Sequence, residues 1–269
     1  MSNSAFEPIH LTVKETYRQV ALEQSSCCNT SDCCGSSFYD ASTLQDLPVD
    51  AVNASRGCGN PQAIAALKIG EVVLDLGSGG GIDVFLAAKQ VGAAGFVYGV
   101  DMTEEMIALA QRNATIMGVT NVEFRHGYLE QLPISDAEID VIISNCVVNL
   151  TPSKETALHE AYRVLKSGGR LAISDVVVDG VLSDLPVSEA EIRAGLSWAG
   201  CVAGALTKAE LSRLLAEAGF VDIAIDMQSH YTVGGLYGQM PAELANLDSA
   251  TVHELVGRFG SANIHARKP

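Results

Sequence analysis

Two kinds of residue in this sequence have the type and spacing to do chemistry: cysteines in loops, and carboxylates beside glycines. The cysteines are Cys27, Cys28, Cys33, Cys34, Cys58, Cys146 and Cys201. The first four form two adjacent pairs in a polar stretch of small residues, 24–37. Cys58 stands between two glycines ahead of Asn60-Pro61, in a turn expected to leave it reachable. Cys146 lies in Ser144-Asn-Cys-Val-Val-Asn149, and Cys201 in Trp198-Ala-Gly-Cys-Val-Ala-Gly204. Thiolates are nucleophiles and ligands for soft ions. The paired cysteines lack the spacing of a structural zinc site, and no histidine lies near them. Seven is an odd number, and the chain is far longer than a small disulfide-framed domain. Catalytic, ion-binding or buried thiols are therefore expected rather than structural disulfides.

The carboxylates follow a different logic. Glu71-Val-Val-Leu-Asp-Leu-Gly-Ser-Gly-Gly-Gly81 reads as a buried strand running into a glycine turn, with a helix predicted over 82–91. Strand, glycine turn and helix open a doubly wound nucleotide-binding sheet, where missing Cβ atoms let a ligand approach the backbone. A second strand, 95–100, ends at Asp101-Met102. Asp101 has the separation from the glycines at which such folds place an acid on ribose hydroxyls. Met102 is positioned to lie against an adenine ring. A third strand, 122–125, leads to Gly127-Tyr-Leu-Glu130, a strand-end loop able to hold the base. The fourth, 139–144, ends at Asn145-Cys146, on the edge where these sheets bind ligands.

The remaining elements position these groups. Helices are predicted over 9–23, 42–47, from 61, from 103, over 154–165, 188–196, 206–218 and 249–259. Thr207-Lys-Ala-Glu210 forms a capping box, and Ser167-Gly-Gly169 is a stop. Further strands are predicted over 171–175, 221–226 and 230–233, followed by a polar tail. The chain is expected to divide into an N-terminal extension with a Cys-rich loop (1–55), a nucleotide-binding core (56–178) and a C-terminal segment (179–269).

The 269 residues carry a net charge of −15 and are 48% hydrophobic, enough for a sizeable core. The acidic balance argues against nucleic acid, which is held mainly by Lys and Arg. No apolar run is long enough to span a membrane and no leader pattern is visible, so a cytoplasmic protein without a membrane partner is expected.

With these stretches together, the sequence resembles the class I S-adenosylmethionine-dependent methyltransferases. The resemblance is carried by Val73-Leu-Asp-Leu-Gly-Ser-Gly79, Val100-Asp-Met-Thr103, the 127–130 loop, the acidic approach 136–140 and Lys166-Ser-Gly-Gly-Arg-Leu171. A dehydrogenase would want glycine where Ile82 stands. Within that superfamily it is similar to the arsenite methyltransferases, through Gly57-Cys-Gly-Asn-Pro61, Ser144-Asn-Cys-Val-Val-Asn-Leu150, Trp198-Ala-Gly-Cys-Val-Ala-Gly-Ala205 and the two cysteine pairs followed by Tyr39. The resemblance implies an α/β, Rossmann-like sheet with an N-terminal Cys-rich extension and a C-terminal α+β addition. S-adenosylmethionine would be held by Tyr39, Asp75, Gly77, Ser78, Gly79, Asp101, Met102, Leu129, Glu130 and Asn145. Trivalent arsenic would be held by Cys58, Cys146 and Cys201, and a cysteine of the pair Cys33 and Cys34 would form a disulfide with Cys58 after transfer. Implied partners are trivalent arsenicals, also as thiol conjugates, and a thiol reductant such as glutathione or thioredoxin; a monomer is expected. Two other readings compete: a methyltransferase acting on another small molecule, and a non-catalytic thiol-based arsenic-binding protein.

Overall fold

The computed structural model describes residues 7–23, 38–61, 65–186, 188–190, 192, 201–233 and 247–269. Cys27, Cys28, Cys33, Cys34, Trp198 and most of the predicted helix 188–196 lie outside the described residues.

Eight strands form one sheet: β1 (Val72–Leu76), β2 (Phe96–Asp101), β3 (Val122–His126), β4 (Ile139–Asn145), β5 (Leu165–Val178), β6 (Leu206–Thr207), β7 (Val221–His230) and β8 (Phe259–Arg267). The order is β3-β2-β1-β4-β5-β8-β7, with β6 on the end of β5. The first five in this order are parallel, and β8 is antiparallel to both β5 and β7. Val73 and Leu74 are fully buried on opposite faces of β1, so the strand is apolar on both sides. Val73 packs beneath the helix α4 (Ile82–Val91), with Val84, Phe85 and Ala88. Leu74 and Leu76 pack on the other face with Leu158 and Ala161 of α6 (Lys154–Val164). Between α4 and α6 in the chain lies α5 (Glu104–Met117), and α7 (Lys208–Glu217) follows, opened by the capping box expected at Thr207.

Four features differ from the expectations above. The strand placed at 171–175 extends from Leu165 to Val178, through the Ser167-Gly-Gly169 stop, as the long partner of β4 and β8. The two short strands expected over 221–233 are one strand, with shifts of register between Val221 and Ala224 and between Met227 and Ser229. The last helix, α8 (Ser249–Gly257), stops short of Phe259. The polar tail is β8, an interior strand whose residues Ala262, Ile264 and Ala266 are buried. Its alternation of small residues carries little strand propensity, and pairing on both edges fixes it.

Among the described residues, the helices α1 (Glu7–Glu23), α2 (Ala41–Leu44) and α3 (Val49–Ala54) precede the sheet. The first lies over the carboxyl edge of the sheet, with Val13 fully buried. No helix among the described residues is long and apolar enough to cross a membrane.

Candidate active site

The strand order reverses at β1, whose neighbours are β2 and β4, and a cleft opens at the carboxyl ends of these strands. It encloses about 880 Å³, including space open to solvent. Of the ten residues expected to hold the cofactor, nine line it: Asp75, Gly77, Ser78, Gly79, Asp101, Met102, Leu129, Glu130 and Asn145. Tyr39 does not line it. Its hydroxyl is turned to Asp83, donating at 2.8 Å to each carboxylate oxygen. Burial, and then Asp83, holds the Tyr39 phenol well above its ordinary range.

The glycine turn makes the cleft floor. Gly77, at φ +71°, has no room for a side chain because Val147 stands where its Cβ would be. Gly79, at φ +49°, faces open space, with nothing within 4 Å of the point a Cβ would occupy. Asp101 fastens this turn: Oδ2 accepts from the Gly79 amide at 3.0 Å and Oδ1 from the Thr103 amide at 2.8 Å. Burial raises the Asp101 pKa, and those two N–H groups work against the rise. Asp75 is also held well above the usual carboxylate range, by burial first and then by Asp83 and Asp101. Glu130 forms the far wall, accepting from Thr151 and paired with His10 of α1 at 3.1 Å.

At one end of the cleft the three separate cysteines share one buried cluster. Gly57, Asn145 and Val147 line the cleft, and Cys58 and Cys146 sit directly behind them in a cluster that includes Cys201, Val13 and Leu150. Cys58 is 8% exposed and the other two 3%, so Cys58 is buried rather than reachable in its turn. Cys58 and Cys146 are joined by a disulfide, with Cα atoms 5.8 Å apart, contrary to the expectation of free thiols. The expected pairing of Cys58 with Cys33 or Cys34 involves residues outside those described. Cys201 keeps a free thiol, which donates to the Cys146 carbonyl at 2.8 Å. Burial pushes the Cys201 thiol up, and Asp175 adds to this.

Several groups here are not evident from sequence. Asp175, in the carboxyl-terminal part of β5, has a carboxylate oxygen within 4.8 Å of the Cys58 and Cys146 sulfurs. Burial raises its pKa to about 7, against hydrogen bonds from the backbone of Val176 and Asn149 and the charge of Lys154. The Asn149 side chain adds a bond of 2.8 Å, fixing the turn that follows Cys146. A strand-end acid on the ligand-binding edge is the available signal for Asp175. Asp83, Arg56 and Tyr17 also line the cleft, and only their tertiary neighbours reveal it.

The comparisons with known proteins agree with this geometry. The family described as "Methyltransferase domain" matches residues 67–219. An arsenite methyltransferase of Halobacterium salinarum is 43% identical over 79% of this chain and 57% of its own length. One from Aquipseudomonas alcaligenes is 41% identical over 80% of this chain and 62% of its own. The chain thus spans about three fifths of the length of these curated relatives. The crystal structure of an arsenic(III) S-adenosylmethionine methyltransferase from Chlamydomonas reinhardtii aligns at a TM-score of 0.64, with 33% identity, over 84% of this chain and 72% of that one.

The fold and cleft are those of a class I S-adenosylmethionine-dependent methyltransferase. Within that class, the chain belongs to the arsenite methyltransferase family. S-adenosylmethionine is the cofactor of the class, and the cleft fits it. Asp75, Asp83, Asp101 and Glu130 place four carboxylates around a ligand that carries an ammonium and a sulfonium. Gly79 leaves the space a bound ligand would fill, and Ser78 Oγ is buried in the cleft wall with no hydrogen-bond partner among the described residues.

Proposed function

We propose that the protein transfers a methyl group from S-adenosylmethionine to trivalent arsenic held by Cys58, Cys146 and Cys201, in a detoxifying reaction. The observation that carries this reading is the gathering of three cysteines from distant parts of the chain into one buried cluster at the end of the cofactor cleft, two of them bonded and the third on the Cys146 carbonyl. Trivalent arsenic is soft and favours sulfur over imidazole or carboxylate. Bound cofactor supplies an electrophilic methyl group.

The protein's part is to hold, orient and dry the arsenic. Reduction of the Cys58–Cys146 bond frees two thiols beside the third. When arsenous acid enters, each thiol proton leaves with a hydroxide as water, so a high thiol pKa at Cys201 does not block binding. Three thiolates below the arsenic leave its lone pair directed away from them, as required for attack on the methyl carbon. Arsenic brings no proton to that step, so no general base is needed. Buried Val13, Leu150 and Val176 exclude water around the sulfurs. Attack on the methyl carbon gives S-adenosylhomocysteine and takes arsenic to a methylated pentavalent state. Two of its thiolates supply the two electrons that return it to methylated trivalent arsenic, by leaving as the Cys58–Cys146 disulfide. A thiol reductant, of the glutathione or thioredoxin kind, then restores both thiols.

The test is methyl transfer to As(III) in the presence of a thiol, with products separated by mass. Wild type is expected to give methylated arsenic and Cys146→Ser none. Absence of methylated arsenic from protein that still binds S-adenosylmethionine would leave a methyltransferase for another small molecule. Tight As(III) binding without turnover would leave a thiol-based binding protein.

A further inference from the structure

We infer that Asn145 is a positioning residue that sets the spacing of the Cys58 and Cys146 thiols, and is not a polar ligand of the cofactor. The inference rests on the thiolate reading above, which gives those two sulfurs their function.

Asn145 is the last residue of β4 and the immediate neighbour of Cys146. Its position in the cleft wall suggests a cofactor contact, but its amide is engaged elsewhere. Oδ1 accepts from the backbone amide of Cys58 at 2.9 Å and of Gly59 at 3.2 Å. Nδ2 donates to the Gly59 carbonyl at 2.7 Å and to the Tyr39 hydroxyl oxygen at 3.0 Å. A primary amide offers two acceptor lone pairs and two N–H donors, and all four are used here. Nothing polar on this side chain is left for a ligand.

Three of the four contacts act on one object, the Gly57–Cys58–Gly59 turn. A side chain at position 57 would run into the Asn145 amide, and one at 59 would stand 2.6 Å from Ser174 Cβ. The two glycines therefore let the turn lie flat against β4 and β5, with the asparagine clamping it. Tyr39 holds the clamp from behind, and Asp83 holds Tyr39. Cys58 and Cys146 are 88 positions apart in sequence, and the Asn145 amide spans from the strand end carrying one to the backbone of the other. Because Asp83 lines the cofactor cleft, the same chain of bonds ties the thiol turn to the cofactor side.

The experiment measures the effective concentration of the Cys58–Cys146 pair in the full chain, without arsenic or cofactor. Protein is equilibrated in glutathione redox buffers, alkylated, and the Cys58–Cys146 cross-linked peptide is quantified by mass. Affinity for S-adenosylmethionine is measured in parallel by calorimetry. Asn145→Ala is expected to lower the effective concentration at least tenfold while the cofactor Kd stays within threefold of wild type. Asn145→Asp, which keeps the acceptors for Cys58 and Gly59, should recover part of the loss. Tyr39→Phe, which removes only the support behind the clamp, should show a smaller loss in the same direction and serves if Asn145→Ala does not fold. An unmoved thiol equilibrium in the folded variants overturns the inference, as does a tenfold loss of cofactor affinity with the thiols unaffected. If wild type fails to methylate arsenic yet Asn145→Ala loosens the pair, the arsenic reading falls and the positioning role stands.

Discussion

The Cys201 thiol donates to the carbonyl of Cys146 at 2.8 Å, and both residues hold left-handed backbone, at φ +64° and +58°. That conformation costs an L-residue with a Cβ roughly 1–2 kcal/mol, and such strain gathers where function keeps a side chain against backbone preference. Comparing Cys201→Gly with Cys201→Ala isolates the backbone. Glycine is expected to be the more stable by about 1 kcal/mol in urea unfolding under reducing conditions, the reverse of its ranking in a helix. An alanine variant as stable as glycine would show that position 201 is not strained.

The Cys58–Cys146 bond closes a separation of 88 residues. Chain entropy gives such a cross-link about 4–5 kcal/mol of stabilisation. Reduction is expected to lower Tm by roughly 10 °C for a chain of this size. As(III) added to the reduced protein should restore several degrees, because arsenic bound to thiolates from these same loops stabilises the native state. The recovery should disappear in Cys58→Ser and Cys146→Ser. Thermal scans with and without As(III) read it directly.

What is legible in the sequence is what local pattern controls. The apolar run before Gly77, the glycine turn and the spacing to Asp101 belong to one βαβ unit, and the structure places them as read. The three loop cysteines can be named because each sits in its own small-residue turn. Their burial and the Cys58–Cys146 bond are not legible, since both join segments far apart in the chain, as the Asn145 contact to the Cys58 amide does across 87 positions. Tyr39 is read as a cofactor residue from the resemblance alone, and its bond to Asp83, 44 residues away and just past the glycine turn, is not legible in the sequence. The last strand escapes notice because Gly260, Ser261, Ala262 and Asn263 carry no strand signature; β5 and β7 impose it by pairing.

Glu160 and Arg163 fix the loop that brings Leu129 and Glu130 to the cleft. Arg163 donates to both Glu160 oxygens at 2.7 Å and to the Leu132 and Ile134 carbonyls, while Glu160 accepts from the Leu132 amide. The Arg163 hydrogen bond lowers the Glu160 pKa below its ordinary 4.5, against burial, with help from Leu132. A depressed carboxyl pKa means fewer protons bound in the folded state. This contribution is therefore complete above pH 4.5 and is lost as pH falls through the lowered folded value. Glu160→Gln should cost about 1 kcal/mol at neutral pH, allowing for partial exposure. The gap between the two proteins should close as the pH is taken well below 4.5 in a urea series. A gap that persists unchanged into acid would remove the charge from the explanation.

Asp101 tests which part of the cofactor the cleft reads at the end of β2. Its carboxylate already accepts from the Gly79 and Thr103 amides, and the residue lines the cleft. An acid at the end of the second strand is where such folds read ribose hydroxyls, so a ribose contact is expected. The ribose is common to S-adenosylmethionine and S-adenosylhomocysteine, whereas the sulfonium charge belongs to the first alone. Asp101→Ala should therefore weaken both by a similar factor, roughly 10–100-fold for the loss of charge-assisted hydrogen bonds. As(III) binding to the reduced thiols should be retained, since Cys58, Cys146 and Cys201 pack in a separate cluster. Calorimetry with the two nucleosides decides the point. If S-adenosylmethionine alone is weakened, Asp101 acts on the positive charge, and the ribose contact must be sought elsewhere along the cleft.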